Sequence, residues 1–221
     1  MRRRRPTEEL DHLYEEIFRC DMCIGAQGCL IQPDPERVRR KVIPSALDSE
    51  VFVVCQALAS RTQRRSGIPY CMPDGSLSQA GQKFDAFLQK FGYTIDPASE
   101  LNYVYSSDVI QHYPGPGNGG DRKPTRPEAD NCADWLRKEI GLVRPRVVIL
   151  LGEVPTKDFL RRYGGMRIRR MADAWGKVYQ CAIDGHAVSA VPVRHPSYRF
   201  DRNQTERIYR NAAERILTLL Q

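Results

Sequence analysis

Two short, uninterrupted apolar runs constrain the fold of this chain more than any other feature. They are VFVVC at residues 51–55 and VVILL at residues 147–151. Runs of this length, bounded by polar residues, are typical of strands that are buried on both faces. The chain of 221 residues is long enough to bury such strands, which excludes an intrinsically disordered protein. No apolar stretch approaches the roughly 20 residues that cross a bilayer, so we expect no membrane-spanning helix.

Helical patterns alternate with the strands. We predict helices at 7–19, 78–91, 128–143, 154–163 and 204–220, and further strands at 103–110 and 187–193. This alternation indicates a three-layer α/β/α sandwich around a central, mainly parallel four-stranded sheet. We expect one domain over residues 1–221, with a basic tail at 1–6. Ligands of such sheets bind beyond the carboxyl ends of the strands, so the candidate segments are 55–74, 108–127, 152–156 and 194–202.

Charge and cysteine usage narrow the class of protein further. Lys and Arg number 34 against 27 Asp and Glu, a formal charge of +7, which favours a polyanionic partner. The odd count of seven cysteines, two of them in a C-x-x-C, indicates reduced thiols or metal ligands rather than a disulfide framework. Because the opening MRRRRPTEEL lacks an apolar signal region, we expect a cytoplasmic protein.

Four stretches, in order along the chain, resemble motifs of one family. They are CDMC (20–23), CQALASRTQRRSGIPY (55–70), DRKPTRPEADNC with RPRVVILLG (121–132 and 144–152), and RHPSY (194–198). In these stretches the chain resembles the uracil-DNA glycosylase superfamily, particularly its families 4 and 5, many of which carry an iron–sulfur cluster. The resemblance spans most of the chain and implies the α/β fold that the pattern of runs predicts.

The resemblance implies a monomeric enzyme that hydrolyses the N-glycosidic bond of a flipped-out DNA base and leaves an abasic site. His195 would stabilise the departing base by donating a hydrogen bond to it. Tyr70 would stack on the base, and Ala57 and Leu58 would line the pocket. No lysine lies in these motifs as a Schiff-base nucleophile, so lyase activity is not expected. The alternative class is a catalytically inactive DNA-binding module of the same fold.

Basic and aromatic side chains lie in the same loops, where phosphate binding and insertion into the vacated duplex require them. The predicted DNA-binding residues are Arg64, Arg65, Arg122, Lys123, Arg194, Tyr198, Arg199 and Phe200.

The first motif departs from the family at the position of its glutamate. The family begins this motif Gly-Glu-Ala-Pro-Gly or Gly-Leu-Ala-Pro, whereas this chain has Gln56 in the sequence Cys-Gln-Ala-Leu-Ala. An amide cannot serve as a general base. Water would be activated by Asp74, or held only by the backbone and Gln56.

The second departure concerns base recognition. Where uracil-reading members often place an asparagine, this chain has Asp108. A carboxylate cannot donate to uracil O4, but it can accept from the N4 amine of cytosine. Cytosine N3 is also an acceptor, so a hydrogen bond between N3 and the Asp108 carboxylate would require a proton on one of the two groups. Since excision of ordinary cytosine would be toxic, we expect a modified cytosine, as in hypermodified phage DNA, which implies a defence role. Uracil or another deaminated base is the alternative, which implies a role in DNA repair.

The residues of the predicted metal site also differ from those of the family. Family 4 supplies four cysteines, of which Cys20, Cys23 and Cys132 have counterparts here, while His112 stands at the remaining position. A set of three cysteines and one histidine can hold a [4Fe–4S] cluster, and it is also a standard zinc set. Cys29 is a rival fourth ligand, and a C-x-x-C without metal is the remaining alternative.

Overall fold

The computed structural model describes residues 6–23, 44–59, 62–118, 120–198 and 201–221. The helices in these ranges, apart from single turns, are α1 (Pro6–Arg19), α2 (Gln79–Leu88), α3 (Arg126–Val143), α4 (Glu153–Tyr163) and α5 (Arg202–Leu220). These five correspond to the five predicted helices. None of the helices in the described part of the chain is long and apolar enough to cross a membrane. The expected basic tail lies outside the described residues except for Pro6, which begins α1.

Four parallel strands form the centre of the molecule. In spatial order they are β4 (Tyr105–Ile110), β1 (Val51–Ala57), β7 (Val147–Leu151) and β9 (His186–Val193). Residues Val51 and Val147 lie opposite each other at the start of their strands. The two apolar runs are therefore neighbours in the middle of the sheet, as their burial on both faces requires.

A fifth strand corrects the predicted number of four. Strand β8 (Tyr179–Ile183) pairs antiparallel with β9 at the edge of the sheet. Its residues alternate between buried and more exposed positions, so it lacks the continuous apolar run that marks the central strands. Asp184 and Gly185 both adopt positive φ, at 50° and 78°, which suits the tight turn that joins the two strands.

Four short strands make two small ribbons outside the main sheet. They are β2 (Tyr93–Thr94) with β3 (Asn102–Tyr103), and β5 (Pro116–Gly117) with β6 (Gly120–Asp121). The predicted strand at 103–110 is thus divided between β3 and β4, and the predicted helix at 78–91 ends as a 3-10 turn over Gln89–Phe91.

Helices cover both faces of the sheet, which confirms the three-layer sandwich. On one face, Phe52 and Val54 pack in a core with residues of α1, α3 and α4. On the other face, Val51 and Val53 pack with residues of α2 and α5. The parallel strands all end at one edge, and the segments after β1, β4, β7 and β9 meet there. This edge is where ligands of open α/β sheets bind.

A buried carboxyl group connects three of these elements. Glu139 of α3 is fully buried, and its Oε1 accepts hydrogen bonds from the hydroxyl groups of Tyr14 (3.1 Å) and Tyr105 (2.9 Å). Its Oε2 accepts from the hydroxyl of Ser107 and from the Gln111 amide at 3.0 Å. Because all four partners donate, the carboxyl group satisfies four buried donors at once. It ties α1 and α3 to β4 and to the loop that follows β4.

Replacing this acceptor by an amide should destabilise the fold. Glu139→Gln keeps the side-chain shape but turns a donor toward the donors of Ser107 and Gln111, and we expect a loss of about 2 kcal/mol or more in unfolding free energy. The matched control is Asp134→Asn on the same helix, whose carboxylate is exposed and should cost no more than about 0.5 kcal/mol. Urea unfolding measures both. Equal losses for the two variants would show that the buried network is not what stabilises this region.

Candidate active site

His195 lies two residues beyond the end of β9, at the carboxyl edge of the sheet. Its Nδ1 accepts a hydrogen bond from the backbone N–H of Ser197 at 3.3 Å, so the proton of the neutral ring belongs on Nε2. Burial lowers the pKa of His195 to about 4. The ring is therefore a neutral imidazole at physiological pH, with an N–H donor at Nε2.

The hydroxyl of Tyr70 stands in front of that donor. Its Oη is 3.0 Å from His195 Nε2, and burial, followed by the neighbouring Cys55 thiol, raises the pKa of Tyr70 well above its usual value. The phenol thus remains protonated and can accept from the histidine. In this arrangement Nε2 of His195 already has an acceptor, the tyrosine oxygen.

The backbone holds Tyr70 in a strained conformation. Its φ is +64°, a region that L residues rarely adopt, and its carbonyl accepts from the N–H of Ser78 at 2.9 Å. A side chain at position 81 could not fit, because a Cβ there would be 2.9 Å from Tyr70 Cβ. Gly81 therefore permits the close approach of α2. The Tyr70 ring packs on Phe84 with the centroids 5.7 Å apart, which makes it a fixed aromatic wall.

Asp108 lies near the end of β4 on the same side of the pocket. It is 1% exposed and stands opposite Cys55 in the register of β4 and β1. The Gln63 amide donates to its Oδ2 at 2.9 Å. The charge of Asp108 is also one of the smaller influences that raise the pKa of Tyr70. Asp108 is thus close enough to influence Tyr70, whose hydroxyl contacts His195.

Four other residues are predicted to line the pocket, namely Asp74, Gln56, Ala57 and Leu58. Asp74 is exposed in a surface turn, where its Oδ1 accepts from the backbone N–H of Ser76 at 3.0 Å and from its hydroxyl at 2.7 Å. The hydroxyl bond lowers the pKa of Asp74. This is the setting of a turn-forming residue, and in the described ranges no hydrogen bond joins Asp74 or Gln56 to His195. Gln56 and Ala57 are half-buried at the end of β1, and Leu58 is buried just beyond it.

Several of the predicted DNA-binding cations are engaged within the protein. Arg122 forms a two-point ion pair with Glu128, the residue that also completes the capping box of α3 with Thr125. Lys123 pairs with Glu153 at 3.0 Å. These contacts fix the loop that enters α3, so phosphate binding would have to compete with them.

Arg194 supports the loop that carries the histidine. It donates to the side chains of Gln204 and Thr205 on α5, and its guanidinium lies 4.8 Å from the centre of the Tyr198 ring. Tyr198 remains 48% exposed, which suits a side chain that inserts into DNA. Arg65 is exposed as well. The side chain of Arg64 and the residues Arg199 and Phe200 lie outside the described part of the structure.

The four predicted metal ligands come together between α1, the loop after β4 and α3. Cys20, Cys23, His112 and Cys132 are all buried. The Sγ of Cys132 is 3.9 Å from His112 Nδ1. Burial raises the pKa of Cys132 to about 12, and the Cys23 and Cys20 thiols add to this.

The donor set has a supporting hydrogen bond but not the spacing of a single-ion site. The amide of Asn131 donates to Cys23 Sγ at 3.5 Å. Within the described residues, no three His, Cys, Asp or Glu side chains are arranged to hold one metal ion. The rival ligand Cys29 lies outside those residues. Three thiols and an imidazole nonetheless suit a cluster, whose ligands bind separate iron atoms.

Sequence reasoning missed two residues of the pocket. Gln63 is 4% exposed and contacts Asp108, although it stands in a polar segment that predicts no buried side chain. Ser197 orients His195 through its backbone N–H and through its hydroxyl, which is 2.6 Å from Nδ1. The motif RHPSY contains Ser197, but its role depends on a turn that only the structure shows.

Comparison with known proteins identifies relatives of this chain. Residues 44–217 match the Uracil DNA glycosylase superfamily. The Type-4 uracil-DNA glycosylase of Pyrobaculum aerophilum is 26% identical over 190 residues, which cover 86% of this chain and 83% of that protein. The Type-4 uracil-DNA glycosylase of Archaeoglobus fulgidus is 23% identical over 95% of this chain and 92% of its own length. The Type-5 uracil-DNA glycosylase of P. aerophilum is 31% identical, over 53% of this chain and 51% of its own length.

The lowered pKa of His195 should appear in the pH dependence of stability. The unfolded chain takes up a proton at this residue near pH 6.5, roughly the unperturbed value, whereas the folded chain does so only near pH 4. The unfolding free energy should therefore fall as the pH falls through this window. Between about pH 7 and about pH 5, wild type should lose on the order of 1 kcal/mol more than His195→Gln. Urea unfolding at the two pH values measures the difference, and equal losses would contradict a buried neutral histidine.

Proposed function

Because this chain belongs to the uracil DNA glycosylase superfamily, a family of DNA glycosylases, we propose that it hydrolyses the N-glycosidic bond of a flipped-out, modified cytosine in DNA and leaves an abasic site. The observation that carries the choice of base is the buried carboxyl group of Asp108, which receives a hydrogen bond from Gln63. The remaining residues of the pocket support the hydrolytic chemistry.

His195 stabilises the leaving group. As the glycosidic bond breaks, negative charge develops on the departing base, including its O2 atom. A neutral imidazole with its proton on Nε2 can donate to that oxygen without a prior proton transfer. The Tyr70 hydroxyl accepts this hydrogen bond at 3.0 Å in the absence of a base. The donor is thus already oriented before a base binds.

Tyr70 also provides the stacking surface. A base leaves the duplex only if the pocket compensates for lost stacking and pairing. The ring of Tyr70 is fixed by its backbone conformation and by Phe84, so it offers a flat apolar face at little cost in side-chain entropy. Tyr198, exposed beyond His195, would fill the space that the base leaves in the DNA.

Asp108 favours cytosine over uracil. Its carboxylate oxygens accept hydrogen bonds and would repel the O4 atom of uracil, whereas the N4 amine of cytosine donates. Since excision of unmodified cytosine would damage the cell's own DNA, the substrate is a modified cytosine such as a hypermodified phage base, and the role is defence.

Uracil remains the second candidate substrate, with a role in repair. It is favoured by the three relatives described above, all of which carry the name uracil-DNA glycosylase. Against it stands Asp108, at the position where uracil-reading members of the family often have an asparagine.

Water is the nucleophile in this proposal. Among the described pocket residues there is no lysine that could form a Schiff base, and the nearby Lys123 pairs with Glu153. Gln56 and the backbone at the end of β1 hold the water, because an oxocarbenium-like sugar requires little activation of its nucleophile. The exposed turn position of Asp74 gives it no support as the activating acid.

Cys20, Cys23, His112 and Cys132 would hold a [4Fe–4S] cluster, which would act as a structural staple. Their burial and their thiol-rich chemistry fit this group. They lie just after α1, in the loop after β4 and on α3, so the cluster would fasten the amino-terminal helix to the loop after β4. Zinc is the alternative ion for the same ligands.

The substrate proposal is tested with duplexes that differ in one base. We expect faster release of 5-hydroxymethylcytosine or its glucosylated form than of uracil, scored by alkaline cleavage at the abasic site. Asp108→Asn should shift this preference toward uracil by roughly tenfold or more. His195→Ala should lower excision of every base by roughly a hundredfold or more. Faster excision of uracil by the wild type would refute the cytosine assignment. Binding without any base release would indicate an inactive module.

The cluster proposal is tested by spectroscopy of protein purified without oxygen. We expect a brown protein with absorbance at about 400 nm, which Cys20→Ala should abolish. The control is Cys181→Ala, because Cys181 lies on the edge strand β8, where burial, and no neighbouring thiol, raises its pKa, and its loss should leave the absorbance unchanged. A colourless wild type that contains stoichiometric zinc would assign the site to zinc instead.

A further inference from the structure

We infer that Gln63 determines base specificity together with Asp108: its amide donates to N3 of the flipped cytosine while Asp108 accepts from the N4 amine. This inference rests on the proposed excision of a cytosine-type base. It adds Gln63 to the residues predicted from the sequence motifs, and it makes recognition of the base a task for two side chains rather than one.

The contact between the two side chains fixes how the amide is oriented. Gln63 Nε2 is 2.9 Å from Asp108 Oδ2. Only the NH₂ group of the amide can donate to a carboxylate, so this end faces Asp108. The NH₂ group carries a second hydrogen, and the residues that the structure describes supply no further acceptor for it. A buried N–H of this kind ordinarily has a partner, and a bound base would provide one.

Local structure holds Gln63 at this place. It begins the helical turn Gln63–Ser66, which follows β1. Its carbonyl accepts from the N–H of Gly67 at 2.8 Å, and Gly67 ends the turn with φ +79°. Gln63 is 4% exposed and Asp108 1%. Both side chains are thus fixed before any base binds, which is what discrimination between bases requires.

The order of the strands assigns each group to an atom of the base. Asp108 is on β4, Gln63 follows β1 and His195 follows β9, and the sheet has the order β4, β1, β7, β9. Along the Watson–Crick edge of cytosine the order is N4, N3, O2. With His195 at O2, the middle group, Gln63, faces N3 and the outer group, Asp108, faces N4.

This order distinguishes cytosine from uracil at two atoms. Cytosine offers a donor at N4 and an acceptor at N3, which match the acceptor of Asp108 and the donor of Gln63. Uracil has an acceptor at O4 and a donor at N3, so both contacts would be repulsive. The amide donor also removes the need for the shared proton that recognition by Asp108 alone would require.

Exchanging the two functional groups tests the inference. In the double variant Gln63→Glu with Asp108→Asn, the Asn amide can donate to the Glu carboxylate, so the contact is kept while donor and acceptor change places. The Asn amide at position 108 can then donate to O4 of uracil, and the Glu carboxylate at position 63 can accept from its N3–H. We expect the ratio of 5-hydroxymethylcytosine to uracil excision to fall by roughly a hundredfold relative to wild type, and to fall by roughly tenfold in Gln63→Glu alone.

A control variant and a test of folding distinguish a change in base specificity from a loss of the folded structure. Gln82→Glu makes the same chemical change at an exposed position of α2 and should leave the ratio unchanged. Thermal melting shows whether each variant is folded. If Gln63→Glu does not fold, Gln63→Met replaces it, since Met fills the buried space without a donor and should also lower the ratio.

The outcomes distinguish this inference from the proposed function. A wild type that prefers uracil overturns the proposed function and the inference with it. A wild type that prefers the cytosine base, combined with folded Gln63 variants whose ratio stays within about twofold of wild type, overturns only the role of Gln63. A lowered ratio in the single variant and an inverted ratio in the double variant support both.

Discussion

The carboxyl group of Glu139 is the interaction on which the functional edge of the sheet depends. It satisfies four buried donors from α1, from β4 and from the loop after β4. Gln111, one of these donors, also contacts the backbone carbonyl of Asp108 and directly precedes His112. A single buried acid therefore positions both the residue that would read the base and a residue that would hold the cluster.

Burial determines the chemistry of the pocket as much as residue identity does. His195 is neutral because burial disfavours its charged form, and the Ser197 N–H places the remaining proton on Nε2. Tyr70 stays a phenol for the same reason. His195 and Tyr70 are therefore neutral groups that can donate, and Asp108 is a buried carboxyl group near the end of β4. In the proposed mechanism, this arrangement would need no rearrangement of charge before the glycosidic bond breaks.

The sequence predicted the charges of the binding loops but not their partners. Arg122, Lys123 and Arg194 stand in the loops where phosphate contacts are expected, yet each is engaged by Glu128, Glu153 or residues of α5. The first effect of these contacts is to stiffen the loops in which the three cations lie. Whether a cation is available to a phosphate depends on neighbours that are distant in sequence, and no count of charged residues contains that information.

The sequence by itself determined the sandwich, the order of its helices and central strands, and the edge where the site lies. These follow from local patterns: apolar runs such as 51–55 and 147–151 are buried on both faces, and amphipathic segments cover them. It did not reveal the edge strand β8 or the contact between Gln63 and Asp108. A half-exposed strand lacks an apolar run, and a hydrogen bond between residues 45 positions apart exists only after β1 and β4 pair. Tertiary structure decided the contact between Gln63 and Asp108, because donors and acceptors acquire their directions only when the strands are assembled.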